Sequence, residues 1–414
     1  MLLTRRSVTV GSAALATTAL VLGPEAVAAP RRRFRKTSAE DGRVVLDWQL
    51  ISFRSVYPAP LHLTIPIPVG VPILGFVSLT MHRAAERSAH LGASSESAAV
   101  ARAAHDVLAH YVPGPTTLDA DLAATFASIG AGHERNKGDR IGADAARDFI
   151  ASRADDGWRD TAVHYTKTAG AGVWWPTAGQ LDMVAPWLGS LRPLFVEPEP
   201  QSGPYSLTSA AWAADYEEVR RVGSFANVPA ERSADQTATA LFYNGSNAGM
   251  ALGDAVVRYL AAHPLGILET ARLFAMMHGA ATDSIINTWK HKREVGCWRP
   301  FQAISGLYDD GNPGTAPQPG WAPLVTNPNY SDYLSGHGAG TAPQAEVVRR
   351  VLGEATPLEV RSSAGAPRTY SHVSEMEFEA FHARIWGGLH YRKSMTDTYG
   401  MGHRTAEKVV EALA

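Results

Sequence analysis

Alanine-rich stretches at helical spacing fill much of this chain beyond residue 74, and they restrict it to a fold of packed helices. Ser94 to His110, Asp119 to Ile129 and Ala143 to Arg153 each repeat apolar residues at intervals of three and four, which places them on one helical face. Runs of alternating β-branched residues are scarce after residue 80, so the expected class is mainly α. A Pro- and Gly-rich stretch, Gly170 to Pro204, reads as a crossover and a candidate boundary between helical groups. Beyond it, the patterning predicts a helix running to Val222 with Ser206 or Thr208 as its cap. Further helices are predicted at Ser233 to Phe242, Leu265 to Lys292, Gly338 to Leu352, Ser374 to Trp386 and Thr396 to Leu413.

The amino terminus has a different layout. Arg5-Arg6 precedes a mildly apolar run from Val8 to Leu22, followed by Ala26-Val27-Ala28, the arrangement of an export signal of twin-arginine type. The chain therefore divides on sequence grounds into a signal over 1–28, a leader and irregular segment over 29–73, an N-terminal helical region over 74–200 and a helical catalytic core over 201–414. Ile65 to Met81 is apolar but carries Pro66, Pro68 and Pro72, so no membrane span is expected in the mature chain. A formal charge of -2 gives no whole-chain reason to expect nucleic acid as a partner. Cys297 is the sole cysteine, so no internal disulfide can form and it reads as a small buried hydrophobe.

Chemistry concentrates in three clusters between Lys292 and His390. The first runs from Lys292 to Arg299-Pro300, the second is Ser335-Gly336-His337, and the third runs from Ala383-Arg384 through Gly387-Gly388 to His390. An oxyanion in a water-poor pocket needs several charge-assisted donors, and lysine and arginine forks supply them. Lys292 and Arg299 lie seven apart, which on an unbroken helix gives them one face. Arg384 and His390 lie six apart and need the break that Gly387-Gly388 offers. Ser335 and Gly336 add a hydroxyl and an approachable amide, and two imidazoles allow one to attack or coordinate while the other moves a proton. The neighbouring cations should push both imidazole pKa values down. Asp283, nine residues before Lys292, is the carboxylate expected to steady the acid–base histidine. Tyr330 and Tyr333 are expected to border the pocket, and Trp298 and Trp386 flank two of the arginines, either stacked on them or packed as core aromatics. His82, His105, His110, His133 and His164 lack paired ligand spacing, so no second metal site is expected.

In these residues the chain resembles the superfamily of type 2 phosphatidic acid phosphatases and vanadium-dependent haloperoxidases, whose pattern is K-x6-R-P, P-S-G-H and S-R-x5-H-x3-D. Lys292, Arg299 and Pro300 match the first part, Ser335, Gly336 and His337 the second, and Arg384 and His390 the third. Leu334, Ala383 and Ser394 replace the usual proline, serine and final aspartate; Asp397 is the nearby candidate for the missing carboxylate. Leu207 to Tyr216, Arg232 to Thr237 and Trp298-Arg299-Pro300 look like the exported bacterial haloperoxidase branch, and the likeness covers roughly residues 75 to 410. It implies a helical bundle with an added N-terminal helical region. It also implies vanadate ligated by His390 and held by Lys292, Arg299, Arg384, Ser335 and Gly336, with His337 in proton transfer. The implied reaction oxidises a halide with hydrogen peroxide to a hypohalous species that passes to a small organic acceptor. The alternative is an exported acid phosphatase, with phosphate in the cage, His390 as the nucleophile and His337 as the proton donor to the leaving alcohol.

Overall fold

The computed structural model describes residues 40–414 except 59–64, 113, 115, 178 and 181; the expected export signal and basic leader lie outside the described residues. Five helices come first: α1 (Arg43–Val56), α2 (Ile67–Leu91), α3 (Glu96–Tyr111), α4 (Leu118–Ile129) and α5 (His133–Ser152). A crossover with one 3-10 turn, Pro186–Ser190, leads to α6 (Ala210–Val222), α7 (Ala234–Gly245), α8 (Ala248–Ala262) and α9 (Ile267–Val295). The chain ends with α10 (Pro300–Ile304), α11 (Gly336–Val351), an antiparallel hairpin of β1 (Leu358–Ser362) and β2 (Gly365–Tyr370), α12 (Val373–Trp386) and α13 (Arg392–Ala412).

The longest helix is the axis of the fold. From Ile267 to Trp289, α9 is buried at nearly every position, as a helix enclosed on all sides must be. From the N-terminal helices α2 packs along it, and from the C-terminal ones α11 and α13 do the same. The helices on the two sides of the crossover thus share one core. Gly75 of α2 makes the close approach possible, because a Cβ there would stand 3.0 Å from the His278 carbonyl oxygen on α9. By length and composition α2 could cross a membrane, but 83% of its apolar window is buried inside the protein.

Several expectations need correction. The segment 29–73 is not irregular throughout: Arg43–Val56 is helical, with Val44, Val45, Trp48, Ile51, Ser52 and Val56 buried. Its β-branched residues weaken helix propensity, and burial of that face overrides the deficit. The next helix begins at Ile67, before Leu74, because Pro68 falls in the first turn, where its missing N–H has no helical acceptor to lose. The cap of α6 is Ser209, whose Oγ accepts from the Trp212 amide, in place of Ser206 or Thr208. Helix α8 escaped the periodicity because Gly249 and Gly253 lower its propensity; Gly249 is needed, since a Cβ there would lie 2.5 Å from the Gly340 carbonyl oxygen of α11.

Candidate oxyanion-binding site

The last turn of α9 starts the site. Gly296 closes the helix in the left-handed region, at φ 64°, and its amide bonds the Lys292 carbonyl. Lys292 and Arg299 therefore do not share a helical face. Arg299 follows on extended chain held by bonds from the Trp174 amide to the Gly296 carbonyl and from the Trp298 amide to the Gly172 carbonyl. Pro300 then opens α10.

Both cations are fully buried. Lys292 Nζ donates to the carbonyls of Ser331, at 2.6 Å, and Asp332, at 2.9 Å. Arg299 donates from Nε to the Tyr330 carbonyl and from Nη1 to the Leu389 carbonyl. The Tyr330 ring lies under both, its centroid 4.9 Å from Lys292 Nζ and 5.0 Å from Arg299 Cζ. Tyr330 therefore takes the stacking place open to the tryptophans. Trp298 is buried against Trp212, and Trp386 lies by the His382 ring. Tyr333 turns its hydroxyl to Asp397, at 2.7 Å.

The third cluster folds as its glycines require. Arg384 sits in the last turn of α12, and Gly388 at φ 75° redirects the chain. A Cβ on Gly388 would also lie 2.5 Å from the Gly223 carbonyl oxygen. This turn brings His390 to Arg299, with Nε2 3.1 Å from Nη1. His390 Nδ1 lies 2.7 Å from Asp332 Oδ1. A guanidinium can only donate, so Nε2 accepts, and Nδ1 carries the proton given to Asp332.

Ser335 caps α11: its Oγ accepts from the Gly338 amide, and its own amide donates to Thr398 Oγ1. A Cβ at Gly336 would lie 2.9 Å from the Trp289 ring, so only glycine lets the backbone come this close to that ring. His337 is 7% exposed and its Nε2 has no partner.

Asp283 is not brought to either imidazole. Its carboxylate accepts from the amides of Leu194, Phe195 and Val196 at 2.7–2.9 Å, and so ties the crossover to α9. Asp397 is likewise occupied elsewhere, by Tyr333, Ser202 and Lys393. The carboxylate at the site is Asp332, which sequence reasoning missed. It lies three residues before Ser335, at a position the motif leaves unspecified, and only folding shows that it faces His390.

Electrostatics follow from burial first. Burial, then Arg299, lowers Lys292 well below the usual ammonium range. Burial brings Arg384 down to about 10. Burial lowers both imidazoles far below their usual value, with Arg384 acting further on His337, and Arg299, Lys292 and Arg384 on His390. Burial pushes Asp332 up to about 7, against the pull of Arg299 and Lys292. Lys292 and Arg299 thus act on the one carboxylate and Arg384 on the two imidazoles, and Arg299 Nη2, Arg384 Nε and His337 Nε2 have no protein partner. Such groups are costly unless an acceptor fills the space between them. A tetrahedral oxyanion, vanadate or phosphate, fits that donor set.

Residues 272–414 match the model of the VCPO second helical-bundle domain. Over 173 residues, 34% of this chain, the sequence is 32% identical to the vanadium chloroperoxidase of Curvularia inaequalis, and the match spans 28% of that protein's length. Among solved structures, the first bacterial vanadium-dependent iodoperoxidase aligns over 90% of this chain and 96% of its own, with a TM-score of 0.72 at 18% identity. A holo-type bacterial vanadium-dependent chloroperoxidase aligns over 92% of this chain and 98% of its own, with a TM-score of 0.67 at 14% identity. The fold is that of these enzymes.

Proposed function

We propose, for a chain whose residues 272–414 match the VCPO second helical-bundle domain, that it is an exported vanadate-dependent haloperoxidase. It would take hydrogen peroxide and a halide and release a hypohalous species to a small organic acceptor. The observation that carries this reading is the buried, donor-rich cage in which Arg299 Nη2 and Arg384 Nε lack protein acceptors and His337 Nε2 lacks any protein partner.

Vanadate held there would supply a Lewis-acidic centre that polarises hydrogen peroxide for two-electron oxidation of the halide. Lys292, Arg299 and Arg384, with the Ser335 hydroxyl and the Gly336 amide, would hold its oxygens and oppose the charge that builds on them. His390, protonated at Nδ1, would supply the Nε2 lone pair as the ligand, Arg299 Nη1 giving up the hydrogen bond it makes to that nitrogen. Arg384 and burial keep His337 neutral, so its Nε2 is able to take up a proton from an incoming oxygen and return it. Trp289 and Tyr330 pack under the lysine, excluding water and strengthening each charge–dipole contact.

The same His390 lone pair would serve a phosphatase as nucleophile, so the deciding experiment is a paired assay in phosphate-free buffer. Bromination of a phenolic dye that requires peroxide and added orthovanadate, without hydrolysis of a chromogenic phosphomonoester, is the expected result. Hydrolysis that orthovanadate inhibits, without bromination, would make the protein a phosphatase.

A further inference from the structure

We infer that Asp332 is the positioning residue for His390 in this chain, filling the part that the superfamily motif gives to the residue four beyond the histidine, which here is Ser394. Ser394 does not reach the imidazole itself: its hydroxyl lies 3.2 Å from the Asp332 carbonyl and also acts on the Asp332 carboxylate. Asp332 instead reaches His390 Nδ1 from a separate segment, just ahead of α11. Its side chain and that of His390 are 1% and 2% exposed, so water does not compete for the bond.

The two positions exclude each other as sites of charge. Because Ser394 already touches the backbone of Asp332, an aspartate at 394 would bury a second carboxylate beside the first, and like charges at that range repel strongly. One carboxylate is accommodated, and in this chain it has moved from α13 to the segment before α11. The new place has a consequence that a carboxylate on α13 lacks. Asp332 also accepts Lys292 Nζ on its carbonyl, and Ser331 Oγ returns a bond to the Lys292 carbonyl. One short segment thereby sets the imidazole and the lysine together, and a shift of residues 331–332 would move both.

This inference rests on the oxyanion-cage reading, and the test separates the two. In full-length protein labelled with 15N-histidine, long-range 1H–15N correlation reports the tautomer of His390, its signals assigned by their loss in His390→Gln. The Nδ1–H tautomer is expected, and Nε2–H in the unsubstituted protein overturns the inference without reference to any variant. Orthovanadate titrated into the unsubstituted protein gives the reference affinity; absence of binding there removes the cage reading and leaves the tautomer result intact. Asp332→Ser is expected to weaken orthovanadate binding about 10- to 100-fold, as loss of a ligand's hydrogen-bonded partner does, and to disturb the tautomer. Adding Ser394→Asp to that variant should restore the Nδ1–H tautomer and most of the affinity, which a merely structural role for Asp332 would not produce. Unchanged affinity in Asp332→Ser, or a double variant that binds no tighter than it, overturns the inference. Should Asp332→Ser fail to fold, Asp332→Asn, of nearly the same shape, replaces it with the same expected loss.

Discussion

Two of the buried polar stations on helix α9, Asp283 and Lys292, are built in opposite ways. At Asp283 the carboxylate meets three backbone amides of the crossover, and the local hydrogen bonding is complete. In the last turn Lys292 gathers with Arg299 and Arg384, and three donor or imidazole nitrogens, Arg299 Nη2, Arg384 Nε and His337 Nε2, remain without partners. A completed buried network holds a fold together. An uncompleted one destabilises the protein and is offset when a ligand supplies the acceptors. The contrast separates stability from function on a single helix, although sequence alone made both residues look like parts of one site.

The largest effect that would sharpen this division is expected from His390→Ala. Removing the imidazole whose Nδ1 proton is fixed by Asp332 should abolish orthovanadate binding and peroxide-dependent bromination, and normal activity in the variant would end the ligand assignment. Next in size is Asp283→Ala. It strands three part-buried amides, each worth up to about 1–3 kcal/mol when left unmade, so urea unfolding should show a loss of about 3 kcal/mol with orthovanadate affinity retained. A loss of affinity without loss of stability would return Asp283 to the site. For Lys292→Met affinity should fall by roughly 1.5–3 kcal/mol, the range for a charge-assisted hydrogen bond, and stability should fall with it, because the Ser331 and Asp332 carbonyls lose their Nζ donor. Calorimetric titration beside a thermal melt reads both quantities, and an unchanged affinity would place Lys292 outside the cage.

A third polar residue on α9 allows a test by pH. His278 is buried with Nδ1 2.9 Å from Ser78 Oγ, which accepts from Gln49 Nε2, and burial lowers its pKa to about 3. Its folded pKa lies below the unfolded value near 6.5, so the unfolded chain binds the proton first. Its contribution is therefore intact above about pH 6.5 and is lost as pH falls toward 3, at up to about 1.4 kcal/mol per pH unit. His278→Gln should show a correspondingly shallower fall of unfolding free energy between pH 6 and 4, and identical slopes would exclude the histidine as the acid-sensitive group.

Much of this architecture was legible because helical periodicity is local. The ends of α3, α4, α9 and α12 fall within a few residues of where apolar spacing puts them, and the Gly387-Gly388 break serves as its sequence suggested. What escaped was set by contact. Helix α1 owes its existence to the face it buries, and α8 tolerates glycines that its neighbour's backbone demands. The site divides the same way. Lys292, Arg299, Ser335, Gly336, His337, Arg384 and His390 have side chains whose chemistry announces itself, whereas Asp332 looks like any loop aspartate until the chain between α10 and α11 returns beneath the lysine. Asp283 misled for the converse reason, since distance along a helix says nothing about which loop will cross it.

The smallest expected effect comes from a pair of serines that make the same local bond in the two settings. Ser209 Oγ accepts from the Trp212 amide at the start of α6, and Ser335 Oγ accepts from the Gly338 amide at the start of α11. Each alanine replacement should cost about 1 kcal/mol of stability, the usual worth of an N-cap. Helix α6 holds the start of α13 through Asp215, which accepts the Lys393 amide, and through Glu218, which pairs with Arg392. These anchors lie beyond the first turn that Ser209 caps, so Ser209→Ala should leave orthovanadate affinity alone. Ser335 stands beside Gly336 and Lys292, so Ser335→Ala should lose about 0.5–1.5 kcal/mol of affinity in addition to the cap, the net worth of one neutral hydrogen bond. Equal affinities in the two variants would show that the Ser335 hydroxyl serves α11 alone, leaving the oxyanion to the cations, the Gly336 amide and the two imidazoles.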